Sequence, residues 1–133
     1  MLSLPAQNKL SYFSIVYHAS DRLKNDQEFM LKIIEKCHQA MDRASEELKK
    51  DKYFIMKVID ITKGKTTYDY DELFLDDEDV MLKRLEYNKT ALSNASERLK
   101  NNKEFFLKAI KIYDKSIKYA SKEVKQELKD LTD

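Results

Sequence analysis

The chain has 133 residues, the size of one domain that can bury a core without metals or disulfides. A single Gly and a single Pro leave few of the turns that a β-sandwich or barrel needs, so an all-α fold is expected. Charged residues make up 37% but the net charge is only +1, which excludes the basic excess of a nucleic-acid protein and suits helix surfaces laced with i,i+4 pairs.

The first ten residues, MLSLPAQNKL, are too few and too polar for a Sec signal, and no apolar run reaches the length of a membrane span. A soluble chain that is exported, if at all, by a non-Sec route is expected. Residues 1–16 read as an N-terminal helical lead-in. Leu10, Phe13, Val16 or Tyr17, Ala19 and Leu23 recur at three or four, predicting a first amphipathic helix over 6–23. Lys24-Asn25-Asp26 stops it. Asn25 and Asp26 are both N-cap types, and Asn25 has capping-box spacing to Glu28.

A second helix starts at Gln27 with Phe29, Met30, Ile33, Ile34 and Cys37 on one face, and the stripe continues in phase through Met41, Ala44 and Leu48. Periodicity alone permits one helix over 27–49. The next helix is predicted over 52–62 with Phe54, Ile55, Val58 and Ile59 inward. Gly64 and the paired Thr66 and Thr67 then mark a loop, 64–69, between a first module, 17–63, and a second, 70–133. In the second module helices are predicted over 78–87, 90–100, 103–113 and 115–128, with a frayed tail over 128–133.

The organising feature is a repeated phrase. Residues 19–34, ASDRLKNDQEFMLKII, return 25 positions later as ASEELKKDKYFIMKVI and 76 positions later as ASERLKNNKEFFLKAI. A degenerate copy, YDELFLDDEDVMLKRL, fills the gap from Tyr70, and a fifth begins at Ala120. Asn88-Lys89 and Tyr113-Asp114 fall at the phase of Cys37-His38, which favours a break there over one long helix. The predicted architecture is therefore tandem helix-turn-helix repeats of about 25 residues, either a short solenoid or a two-lobed helical bundle.

No residue cluster announces a reaction. A lone Cys37 suits a reducing compartment and sits on the stripe Phe29, Ile33, Cys37, Met41, as a core residue would. His38 adjoins it, but helix neighbours point about 100° apart and do not form a nucleophile-base pair. His18 stands a repeat earlier with no carboxylate constellation. One cysteine and this histidine spacing support no metal site, and one glycine supports no phosphate loop. The acidic segment fails as a calcium loop, because counting from Asp69 puts Phe74 and Val80 where Gly and Glu are required. A non-enzyme without cofactors is expected.

What remains is a surface. Residues 68–79, YDYDELFLDDED, carry seven carboxylates and no cation. Tyr68, Asp69, Tyr70, Asp71, Glu72, Asp76 and Asp77 form the candidate partner-binding set, with aromatic rings for contact and negative charge to steer a basic partner. Phe74 falls at the phase of Leu23, which favours the core.

The phrases ASDRLKNDQEFMLKII and ASERLKNNKEFFLKAI resemble a tandem helical repeat catalogued as a domain of unknown function, whose units read like ASEELKNDKEFVLKAV and which is common in effectors of Legionella and other intracellular microbes. The likeness spans about 17–124. The family's usual Asn-Gly between helices is replaced here by Cys37-His38 and Tyr113-Asp114. A small protein of two such modules also resembles a Legionella inhibitor of ubiquitin-deamidase effectors. The resemblance implies a secreted, non-catalytic module whose partner is another bacterial effector enzyme, of ubiquitin deamidase or transglutaminase type, which it binds and inhibits. The alternative is a structural, self-assembling scaffold, including a homodimer; neither reading involves nucleic acid or membrane.

Overall fold

Four serines and four Asx residues dictate the local structure, as the computed structural model shows for residues 9–65 and 71–132. Ser20, Ser45 and Ser96 sit in extended backbone, and each hydroxyl accepts from the amide three residues on: Leu23 at 3.2 Å, Leu48 at 3.1 Å and Leu99 at 3.2 Å. Ser121 does the same for Val124 at 3.2 Å. The first three open one-turn helices, α2 (Asp21–Lys24), α4 (Glu46–Lys49) and α8 (Glu97–Lys100). Asp26, Asp51, Asp77 and Asn102 then cap the longer helices α3 (Gln27–Lys36), α5 (Lys52–Thr62), α7 (Glu78–Tyr87) and α9 (Lys103–Ile112). With α1 (Lys9–Tyr17), α6 (Asp71–Phe74) and α10 (Lys122–Thr132), the described residues are helical with no strand.

After α3, α7 and α9 one extended residue, Cys37, Asn88 or Tyr113, breaks the helix, with φ between −150° and −137°. Short 3₁₀ helices follow close behind at His38–Arg43, Ala91–Asn94 and Asp114–Tyr119. The apolar stripe that permits a continuous helix over 27–49 is thus carried by three separate pieces. The chain ends α5 differently. Lys63 (φ 54°) and Gly64 (φ 73°) turn left-handed, and the Gly64 amide reaches back to the Ile59 carbonyl at 2.9 Å, a Schellman closure.

Several predicted bounds are corrected. The helix expected over 6–23 is two, because the Ser20 cap starts α2 afresh after α1 has ended at Tyr17. Within α1 the inward residues are Tyr12 and Val16, one turn apart, while Phe13 is half-buried. The expected helices over 90–100 and 115–128 are each a 3₁₀ helix followed by an α-helix, for the same serine-cap reason at Ser96 and Ser121. The tail does not fray at 128, since α10 runs to Thr132. Gln126 and Glu127 stand in α10 where Asn25-Asp26 and Asn101-Asn102 interrupt earlier copies, so the helix runs on. Asn25 ends α2 and is not the N-cap of α3; Asp26 takes that role.

Asn25 instead accepts the Ser45 hydroxyl at 2.5 Å and donates to Glu47 at 2.7 Å, while the Ser45 amide donates to the Lys24 carbonyl at 2.9 Å. Fifty-one residues on, Asp76 accepts from the Ser96 hydroxyl at 2.5 Å and from Arg98 at 2.7 Å, and the Ser96 amide donates to Leu75. Asn101 and Ser121 repeat the hydroxyl bond at 2.9 Å. Lys57 to Gln27 (2.8 Å) and Lys108 to Glu78 (2.6 Å) are a second matching pair.

The chain divides into two units, Met1–Asp69 and Tyr70–Asp133. In the first, Met30, Ile33, Ile34, Phe54, Ile55 and Val58 are fully buried, with Cys37 among the buried residues at 5% exposure. Phe29 is only half-buried beside fully buried Met30, whereas at the matching positions Phe54 with Ile55 and Phe105 with Phe106 are both fully buried. In the second, Phe105 and Phe106 meet edge to face at 5.3 Å in a cluster with Met81, Leu92, Leu99 and Val124. Phe74 is buried at 6%, as its phase favours.

Candidate functional site

Most of the repeated phrase is consumed in capping and packing, so a site has to be sought in side chains the phrase does not use. The clearest such group is aromatic and basic. With Tyr12 and Val16 directed inward, Phe13 and Tyr17 fall about 100° round α1, at the edge of the buried face. Their rings lie 6.3 Å apart, and the His18 imidazole stands edge-on to Tyr17 at 5.2 Å. Arg43, the last residue of the 3₁₀ helix that packs on α1, lays its guanidinium over the Tyr17 ring at 4.3 Å. Its neighbours Ala40, Met41 and Ala44 are buried, which fixes the base of the side chain.

Tyr17 remains 50% exposed, His18 is exposed and Arg43 is half-buried. Among the described residues Arg43 makes no hydrogen bond and no ion pair, so the fork of five donors is held by stacking alone. Tyr53 is more exposed, at 66%, but its cation is the adjoining Lys52, 5.5 Å away on a flexible stem. Sequence reasoning passed over Arg43 and Tyr17 because their contact joins positions 26 apart through a 3₁₀ helix that periodicity does not reveal. The available signal was compositional: residues 1–20 contain no Asp or Glu, in a chain with 24.

The predicted acidic set is divided by the structure. Tyr68, Asp69 and Tyr70 lie outside the described residues, and of Asp71 and Glu72 only the backbone, which opens α6, is described. Asp77 caps α7 by accepting from Val80 at 3.1 Å. Asp76 is held by Ser96 and Arg98, and the Ser96 hydroxyl, then the guanidinium, keep its carboxyl below the ordinary aspartate value. Glu78 likewise raises the Lys108 ammonium above the ordinary lysine value through a 2.6 Å hydrogen bond. Asp76 and Asp77 therefore have structural partners within their own unit. Leu73, between Asp76 and Tyr70 in sequence, is 53% exposed.

Among the described residues no group of three or more His, Cys, Asp or Glu is placed to hold a metal ion, and no helix is long and apolar enough to cross a membrane. His38 is half-buried beside buried Cys37. A family model described as Domain of unknown function (DUF4116) matches residues 9–49 and 77–125, more than half of the chain, and the chain belongs to this family. No curated protein and no solved structure matches it.

Proposed function

We propose that this chain is a non-catalytic protein-binding module built of tandem helix-turn-helix repeats of about 25 residues, and that it acts as a secreted bacterial effector which binds and inhibits another effector enzyme of the ubiquitin deamidase or transglutaminase type. The repeat reading is supported by the serine caps and by the hydroxyl bonds of Ser45, Ser96 and Ser121 to Asn25, Asp76 and Asn101, each spanning 20 residues. The partner class and export by a non-Sec route rest on the resemblance of the repeated phrase to effector repeats. The observation that carries the binding reading is the Tyr17–Arg43 stack. Tyr and Arg dominate interface hot spots, and here the two are pre-ordered and half-open to solvent.

The test is a rate measurement on a ubiquitin-deamidase effector with the purified chain added. A stoichiometric complex with loss of substrate turnover is expected. An unchanged rate at saturating amounts would sink the inhibitor reading.

A further inference from the structure

We infer that Arg43, Tyr17 and His18 form a receptor for a carboxylate carried by an acidic segment of the partner protein; this rests on the binding-module reading and adds the chemistry of what is bound.

Arginine recognises a carboxylate through two parallel N–H donors in one plane. Arg43 presents that fork with its entropy already reduced, since the contact with the Tyr17 ring at 4.3 Å restricts the guanidinium before anything binds. The fork is half-buried and engages no acceptor among the described residues. Asp42 adjoins it in sequence but makes no ion pair with it, and on a 3₁₀ helix successive side chains diverge by about 120°. The stretch from Lys9 to Ser20, which carries Tyr17 and His18, holds no carboxylate, the first being Asp21 at the start of α2. His18 adds an imidazole N–H beside the same ring, and Phe13 extends the apolar wall one turn back.

The site thus supplies donors and an aromatic floor, with no carboxylate paired to Arg43 among the described residues, a combination that complements Asp or Glu set among apolar residues. A phosphate would meet the same fork, but the flat aromatic floor and the single guanidinium suit a planar, singly charged group better than a tetrahedral dianion.

The test is an NMR titration of the full chain, following the Arg43 Nε–H and the Tyr17 ring, with an end-blocked peptide of alternating Glu and Leu, its Gln counterpart and inorganic phosphate. The Glu peptide is expected to move both signals and the Gln peptide neither, with the Tyr17 response abolished in Arg43→Gln. No response to the Glu peptide, or an equal response to phosphate, would overturn the assignment. Arg43 makes no hydrogen bond among the described residues, so its replacement should leave the fold intact, and unchanged amide signals elsewhere check this. In the deamidase assay Arg43→Gln should weaken inhibition about tenfold or more, and Arg43→Lys by less, since it keeps charge but loses the fork. Wild type and Arg43→Gln inhibiting equally would remove this site and leave the inhibitor function standing. Failure of the wild type to inhibit would remove that function, with the peptide titration still deciding the site.

Discussion

Ser116 is the residue whose chemistry fits its surroundings least. It is fully buried and its hydroxyl finds no partner among the described residues, whereas the equivalent positions 76 and 25 residues earlier are Ala40 and Ala91, both buried. Ser116→Ala removes a desolvated hydroxyl without creating a sizeable cavity, so it is expected to stabilise the second unit by about 1 kcal/mol, measurable as a higher urea midpoint. A lower midpoint would mean that a water satisfies the hydroxyl. Cys37 makes a second residue-scale case. At 5% exposure its thiol should react with a soluble disulfide reagent only when the first unit opens, so the labelling rate should track that opening as urea is raised. The phase of Cys37 on an apolar stripe made its burial legible in advance, while Ser116 escaped notice because serine carries no phase of its own.

At the scale of elements, the one-turn helices depend on their caps, since four residues do not sustain a helix by propensity. Ser96→Ala removes the acceptor of the Leu99 amide and the donor to Asp76, and should cost the second unit about 1 kcal/mol in chemical denaturation. The Asp76 carboxyl adds a pH dependence. Its folded-state pKa lies below its unfolded value, so its stabilising contribution is complete above the ordinary aspartate range and is lost as pH falls through the depressed value. Asp76→Asn should flatten the acid limb of the stability profile of the second unit, and an unaltered limb would show that Asp76 is not linked to folding. Lys108, raised by Glu78, has the opposite sign: its contribution is present below the ordinary lysine value and fades as pH rises through the raised one. The Asp26 cap was legible because an Asx type stands ahead of an apolar run, whereas Asp77, at the same phase in the degenerate copy, was hidden in the acidic run that the sequence offers as a binding surface. The serine breaks at Ser20, Ser45 and Ser96 were not, because the apolar stripe runs on in phase across them.

For the molecule as a whole, each unit is held by its own apolar core. Phe54→Ala and Phe105→Ala, both fully buried, should each cost about 3–5 kcal/mol, the first in Met1–Asp69 and the second in Tyr70–Asp133. Phe29→Ala should cost clearly less despite its identical place in the repeated phrase, because the ring is half-exposed. Equal losses for Phe29 and Phe54 would contradict the burial that separates them. The amino-acid sequence by itself determined the helical class, the existence of the copies, the longer helices and most of the buried residues, because caps and apolar phase act over a few residues. Only the tertiary structure decided that the Asn25 side chain binds Ser45 instead of N-capping α3, that Phe29 is half-exposed where Phe54 and Phe105 are buried, and that Arg43 comes to rest on Tyr17. Those outcomes join groups 20 or more residues apart or depend on how far the surrounding elements cover a given ring, and neither is encoded in local periodicity.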